Sequence, residues 1–527
     1  MKTFQKVIDN AGIYGAIQNL QKKPIFRSSA AFPVIHNENV SSRVLFMGYW
    51  ILKREISEIG LVYTLRNQGG QIINRKYINI NTPRAQRIVL SDLLEDANHT
   101  GNFIGSIELE VFSAKDMVFP YPAFVLEYYN DSFSTCVHTT GRVYNDFEDF
   151  RDNDDIQVAE SGFDVYGNAK LDSFFAFVNG PLPNTDPIHY EVVSQNGETL
   201  AGEIRLNPIE PYETVFVHLK KHIHGLDAFL GNNPGTIRIK HQFKGFFPRL
   251  LAGNFDNTNG TCSITHTFYD CSPLVTVDAY WKRASDNLYD SSIYAPVFID
   301  NDRDTEVVFY PMFSPTVYTI GLIFFDEAGN IVKECSDYKI FDSSKVEIVR
   351  LSIKKIFEGD DIDLSSVKGV FIHKSWSNGQ SIPNRIKFGL NIKVENTMQG
   401  LSSNICFNSR LGLPQVQKKT GTRKWAPLVN NGDSMVIIDN AATLKNYDQE
   451  AKVVYKIFRE GDNEFIEREE IIPPYGQRRI EINKDTELKE FVGDKSAWIY
   501  VDADNPFVGA WYINFGKSGV VGADHSF

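Results

Sequence analysis

The chain reads as an all-β protein of four tandem antiparallel β-sandwich repeats, immunoglobulin-like or jelly-roll in type, preceded by a short N-terminal helix. Three observations predict this. The sequence holds 38 Phe and 23 Tyr among 527 residues but only 6 Met and 5 Cys, a balance suited to pleated, half-buried surfaces. Four stretches share one pattern, an alternating run, a polar turn with glycine and a second alternating run, which is the signature of a β-hairpin. The turn glycines Gly70, Gly197, Gly329 and Gly461 are separated by 127, 132 and 132 residues, a fixed period that marks duplicated units.

Taken in order, residues 1–35 form an N-terminal helical segment, because Phe4, Val7, Ile8, Ala11 and Tyr14 fall at helical spacing before Pro24. Unit one, 36–150, carries the hairpin YTLRNQGGQIINRKYINI, the apolar stretch RIVLSDLL, a strand GSIELEVF and the closing pair FVLEYYNDSFSTCVHTT. Unit two, 151–272, repeats these as YEVVSQNGETLAGEIRL, TVFVHLKKHI, GTIRIKHQF and LLAGNFDNTNGTCSITHT. Units three, 273–420, and four, 421–527, follow the same order around Gly329 and Gly461. Each unit thus contains enough short strands for its own two-layer core. The linkers fall in the charged, irregular stretches 144–162, 269–287 and 411–424.

Charge and composition exclude several classes of function. With 54 basic and 66 acidic side chains the net charge is −12, which disfavours nucleic acid and anionic membrane surfaces as partners. No stretch approaches the roughly 20 apolar residues of a membrane helix. The N-terminus lacks an uninterrupted apolar core of the Sec type, so the default compartment is the cytoplasm, with non-classical export or a virion surface as alternatives. The five cysteines, Cys136, Cys262, Cys271, Cys335 and Cys406, form no compact framework and are expected to be reduced thiols; Cys262 and Cys271 are the one pair near enough in sequence to bridge a short loop.

Candidate chemistry centres on the closing strands. Aligned, they place His138, His266, Asn408 and His525 at one position, each followed by Thr139, Thr267, Ser409 or Ser526. Cys136 and His138 share a strand face, as do Cys406 and Asn408, and a Cys-x-His pair could offer two ligands to zinc, but units two and four do not keep the spacing. In a row of domains, repeat-related positions stand some tens of Å apart. The expected role of these imidazoles is therefore structural, with metal ligation by His138, His266 and His525 as the alternative. His218, His222 and His224 make unit two locally rich in His, a second and weaker metal candidate.

Two further features carry ligand readings. FIDNDRDTE places Asp300, Asp302 and Asp304 at alternate positions, as a calcium ion would want, although the glycine and terminal Glu of an EF-hand are missing. Tyr128, Tyr129, Trp376, Trp511 and Tyr512 lie near polar turns, where rings could stack on sugar faces. The Gly-Lys-Ser at 516–518 lies in a strand turn with the wrong glycine spacing for a phosphate loop. Together these point to a non-enzymatic structural or binding scaffold without a cofactor, whose ligand is a glycan or another protein subunit, including a second copy of the chain. The alternative is an enzyme, a glycan hydrolase or a metal-dependent oxidoreductase, with a His-containing site at a junction between repeats.

Overall fold

The structure is a computed structural model and describes residues 24–138, 141–145, 160–247, 249–269, 283, 285–311, 317–342, 344–377, 387–395, 401–412, 420–429 and 431–527. The expected N-terminal helix, Thr139, Cys271 and most of the three linkers lie outside these residues.

Unit one contains β1 (Arg27–His36), β2 (Ser41–Met47), β3 (Ile59–Asn67), β4 (Ile72–Ile80), β5 (Ala85–Val89), β6 (Phe103–Phe112), β7 (Val125–Tyr129) and β8 (Ser134–His138). They form two antiparallel sheets ordered β1-β6-β3-β4 and β5-β2-β7-β8. Its first strand begins at Arg27, inside the segment expected to be helical.

Unit two repeats the order with β9 (Glu160–Tyr166), β10 (Leu171–Val178), β11 (Ile188–Val193), β12 (Thr199–Ile204), β13 (Thr214–His218), β14 (Pro234–Lys240), β15 (Leu251–Asp256) and β16 (Cys262–His266). A two-residue β17 (Phe268–Tyr269) extends its outer edge beside β9. Unit three uses β18 (Ser291–Pro296), β19 (Arg303–Phe309), β20 (Val317–Phe325), β21 (Ile331–Asp342), β22 (Val349–Ser352), β23 (Gly369–Trp376), β24 (Lys387–Val394) and β25 (Ile405–Asn408), with β26 (Arg410–Leu411) beside β18. Unit four uses β27 (Thr422–Leu428), β28 (Asp433–Asn440), β29 (Ala451–Arg459), β30 (Phe465–Ile472), β31 (Gln477–Glu481), β32 (Ala497–Ala503), β33 (Val508–Phe515) and β34 (Val521–His525). All four hairpins anticipated around the glycines are present. The strand order differs from the immunoglobulin one, in which the second and fifth strands join the first and fourth; here they lie in the opposite sheet.

The two sheets of a unit have different surroundings, and their sequences show it. The outer hairpin strands β4, β12, β21 and β30 are largely exposed and alternate, so their charged residues face water. The sheets that end in β8, β16, β25 and β34 lose this alternation. In β33 every residue is buried, because Tyr512 packs into a core with Tyr455 and Trp498 while Trp511, Ile513 and Phe515 pack into the core of unit three. A sheet buried on both faces reads as a continuous apolar run, and each large side chain so covered contributes roughly 1.5–3 kcal/mol. The sandwiches therefore share cores.

The units touch in a closed cycle, and the repeated hairpin turns are the joints. Gly70 packs on Pro211 just before β13, with Thr214 donating its backbone N–H to the Gln68 carbonyl at 2.9 Å. Gly197 packs on Val346 before β22, and Gly329 packs on Pro474 before β31, where Gln477 donates to the Glu327 carbonyl at 3.1 Å. At Gly197 and Gly329 an added Cβ would stand 2.2 Å from a carbonyl oxygen of the next unit, with φ near +80°, so glycine is required twice over. The fourth turn closes the cycle on unit one: Glu460 bridges Ala85 at the start of β5, and the Arg87 guanidinium lies 3.0 Å from its carboxylate.

Candidate functional site

Because the cycle closes, the last strands β8, β16, β25 and β34 meet one another. Gly522 of β34 lies so close to β8 that a Cβ would stand 2.2 Å from the Ser134 carbonyl, and Ile264 of β16 donates to Thr135 Oγ1 at 3.0 Å. This overturns the expectation that repeat-related histidines stand tens of Å apart, which held only for domains in a row. The His138 ring centroid is 4.6 Å from that of His266 and 4.7 Å from that of His525. Asn408 is exposed and, with His525 and Ser526, borders a second cavity of about 280 Å³.

Each of the three imidazoles is fixed through Nδ1. His138 donates to Asp524 Oδ2 at 2.7 Å, and its backbone N–H donates to the same oxygen at 3.0 Å. His266 donates to the Thr267 carbonyl at 2.6 Å and His525 to the Ser526 carbonyl at 3.0 Å. Carbonyl and carboxylate oxygens only accept, so Nδ1 carries the proton and, in the neutral ring, Nε2 carries the lone pair. His266 Nε2 is buried and has no hydrogen-bond partner among the described residues. Burial, aided by the neighbouring His138, holds the His266 pKa well below its ordinary value, and burial lowers that of His525. Burial works against the Asp524 carboxylate, but His138, His525 and the hydrogen bonds from His138 outweigh it, so its pKa is depressed.

His138 and His525 form part of the wall of a cavity of about 520 Å³. The other walls come from the helix α1 (Tyr49–Arg54), which follows β2 in unit one, from Trp425 of β27, and from Phe527. Tyr49 stacks on Trp425 at 4.5 Å with the ring planes 14° apart, and Trp425 in turn lies 6.3 Å from Phe527. The Lys53 ammonium sits 4.4 Å over the Trp425 ring, where the π face attracts it. Arg54, Arg142 and Arg249 also line the cavity, and among the described residues no carboxylate or amide side chain does so. The Trp425 indole N–H is buried and has no partner among the described residues. The rings of Phe119 and Tyr121, each 48% exposed, complete the lining.

The remaining sequence candidates lie elsewhere. Tyr128 is fully buried and donates its hydroxyl to the Pro33 carbonyl, while Trp376 and Tyr512 are core residues. Trp511 is buried and donates to Asp439 at 3.1 Å, and Tyr129 is half-buried beneath the Arg43 guanidinium. Tyr128, Trp376 and Tyr512 are thus closed to a sugar, against the expectation, while Trp511 and Tyr129 border cavities of about 280 and 810 Å³. Asp300, Asp302 and Asp304 do not converge either. Asp300 accepts from the backbone N–H groups of Asp302 and Arg303 and pairs with the Arg303 side chain, whereas Asp304 is buried and accepts from Ser352 and Lys354. In unit two, His218 pairs with Asp172 at 2.7 Å, and His224 is exposed. Among the described residues, His138, Asp524 and His525 are the one group of three whose ligand atoms all lie within 4.8 Å of one another.

Sequence reasoning missed Asp524, α1 and Trp425. Asp524 adjoins His525 in ADHS, but its partner His138 is 386 residues away. The α1 helix has no counterpart in the other units that a self-comparison could align, although Gly-Tyr-Trp before a basic run is its local signal. Cys136 and Cys262 are buried free thiols, and burial raises the pKa of both.

No family model matches the chain, and no curated protein matches it at significance. Among solved structures, one similarity is to a chain described as "Biofilm associated protein - BSP domain", 8% identical, covering 96% of this chain and 97% of that one at a TM-score of 0.12. That score is too low for a shared fold, and the functional reading rests on the geometry alone.

Proposed function

We propose that the protein is a non-catalytic binding scaffold whose junction between units one, two and four receives a small molecule with a flat apolar body and an anionic group. The observation that carries this is the lining of the 520 Å³ cavity: stacked rings of Tyr49 and Trp425 with four cations and, among the described residues, no acidic side chain. Its volume falls in the range of small-molecule sites. The unpartnered indole N–H of Trp425 supplies a donor for an acceptor on the ligand. A glycan is less well served, because sugar hydroxyls need the amide and carboxylate partners that this lining lacks. The hydrolase alternative is disfavoured on the same ground, since glycosidic cleavage ordinarily uses a carboxylate pair.

Titration calorimetry with 2-naphthoate, its neutral amide and glucuronate tests this reading. Naphthoate is expected to bind at least about tenfold more tightly than the amide, a difference of roughly 1.4 kcal/mol, and glucuronate is expected not to displace it. Trp425→Ala, or Arg54→Ala where the former does not fold, should weaken naphthoate binding. Equal binding of acid and amide, or tighter binding of glucuronate, would overturn the proposal.

A further inference from the structure

We infer that the junction between units one and two carries a second ligand site, one for a short neutral glycan, in a cavity of about 630 Å³ between the β1–β2 turn, β10, β13 and the β15–β16 turn. One wall is the face of a sheet. β10 pairs with β13 and β15 so that Phe174 lies opposite His218 and Asp172 lies opposite Phe255. Residues two apart on a strand share a face, so Asp172, Phe174, Phe216, His218 and Phe255 stand together. Phe174 is fully buried, and the half-buried rings of Phe216 and Phe255 flank it at 5.8 and 4.7 Å and border the cavity. The rest of the lining is rich in amides: Asn37 and Asn39 from the β1–β2 turn, Asn102 just before β6, and Asn257 and Asn259 from the β15–β16 turn. A sugar offers C–H faces to such rings, and its hydroxyls, which donate and accept, match the amide, which does both. The volume falls in the range of small-molecule sites.

Two buried polar atoms of this lining, Asp172 Oδ1 and Asn259 Nδ2, have no hydrogen-bond partner among the described residues. The other atom of each group is fixed: Asp172 Oδ2 accepts from His218 at 2.7 Å, and Asn259 Oδ1 accepts from the Thr261 backbone N–H at 2.9 Å and from its hydroxyl at 2.7 Å. One acceptor and one donor thus stay open, at a cost that a ligand hydroxyl would remove. The fold does not require this. In unit three Asp304 holds the place of Asp172, two residues before the residue opposite Ser352, as Asp172 stands two before the residue opposite His218. There both carboxylate oxygens are satisfied, Oδ2 by Ser352 and Oδ1 by the Lys354 backbone N–H. Charge then selects the sugar. Asp172 and Asp256 border the cavity and, among the described residues, no Lys or Arg does, so a uronate is repelled and a neutral sugar admitted. This lining is the reverse of that of the 520 Å³ cavity, and the inference does not rest on the naphthoate reading. Its rings, Phe216 and Phe255, are not those that the sequence singled out.

The test is saturation-transfer difference NMR on the full chain, with cellobiose, maltose and lactose as probes and glucuronate as the anionic control. At least one of the neutral disaccharides is expected to receive saturation at about 10 mM, and glucuronate is not. Phe216→Ala and Asn259→Asp should each weaken that binding by at least about tenfold, whereas Trp425→Ala, in the other cavity, should leave it unchanged. Asn259→Asp keeps the acceptor that Thr261 uses and removes only the amide donor, so it decides the matter where Phe216→Ala does not fold. No transfer to any of the disaccharides, equal transfer to glucuronate, or undiminished binding in folded Asn259→Asp would overturn the inference. Loss of naphthoate binding with intact disaccharide binding would strike the proposal for the 520 Å³ cavity alone.

Discussion

At the joints made by Gly70, Gly197 and Gly329 the same turn meets the same stretch of the following unit, whereas the four closing strands bring His138, His266 and His525 together and leave Asn408 outside. Three joints repeat one backbone contact, glycine against a carbonyl, and the fourth is made by Glu460 with Ala85 and Arg87. The meeting of the closing strands happens once, so its positions are free to differ from unit to unit. A contact used three times keeps one residue type, while a site used once is assembled from unlike parts, including α1 of unit one and Trp425 of unit four. This contrast separates the residues that hold the cycle together from those that give it a function.

The largest effect is expected at the joint between units two and three. There the Arg350 guanidinium meets buried Asp164 at 3.0 and 2.9 Å and Glu306 at 2.6 Å, with Asn391 donating to Asp164 at 2.8 Å. Arg350→Met leaves the Asp164 charge buried without its cation and should cost about 3–5 kcal/mol by urea unfolding. Adding Asp164→Leu should recover part of the loss. A single-variant cost below about 1 kcal/mol would show that the joints are not what closes the cycle.

Asp439 gives the next effect, with a defined pH dependence. It is buried, and burial raises its pKa from 3.8 to about 6 despite nearby Arg410 and the hydrogen bond from Trp511. A carboxyl whose folded pKa is raised favours the folded state below the unfolded value and loses that advantage as pH rises through the folded one. Between pH 4 and pH 7 this amounts to as much as about 3 kcal/mol. Asp439→Asn should therefore raise the unfolding free energy at pH 7 and change it little at pH 4. A variant equally stabilised at both pH values would contradict the assignment.

Smaller effects set one joint against another. Gly329→Ala should cost about 1–3 kcal/mol, since it adds a carbonyl clash to a positive φ. Gly461 also has a positive φ, but there a new Cβ meets only the flexible Lys495 ammonium at 3.4 Å, so Gly461→Ala should cost less. Thermal midpoints of the two variants measure the difference, and equal shifts would mean that strain alone, without contact, sets the cost. The smallest effect belongs to Asn408→Ala, within about 0.5 kcal/mol, because the side chain is exposed. A larger loss would place Asn408 in the fold alongside the histidines.

Much of the fold was legible in the sequence. Alternation in YTLRN and QIINRKY marks strands with one wet face, and the glycine period marks the units. The exposed outer strands kept their pattern because water on one side enforces period two. The candidate site was legible only in part. His138, His266 and His525 stood out as recurrent, yet Tyr128, Trp376, Trp511 and Tyr512 could not be told from surface rings, because a strand buried on both faces has no alternation to reveal which face is covered.

The strands, the hairpins, the four-unit period and the recurrent histidines follow from local pattern and residue identity. Tertiary structure decided that the units close into a cycle rather than a row, and thereby that positions 138, 266 and 525 meet. It also decided that Asp524 and His138, 386 residues apart, share a hydrogen bond. The physical reason is that closure is fixed by the angle at which each glycine turn seats on the next sandwich, a small rotation summed over four joints. No single stretch of sequence carries that sum.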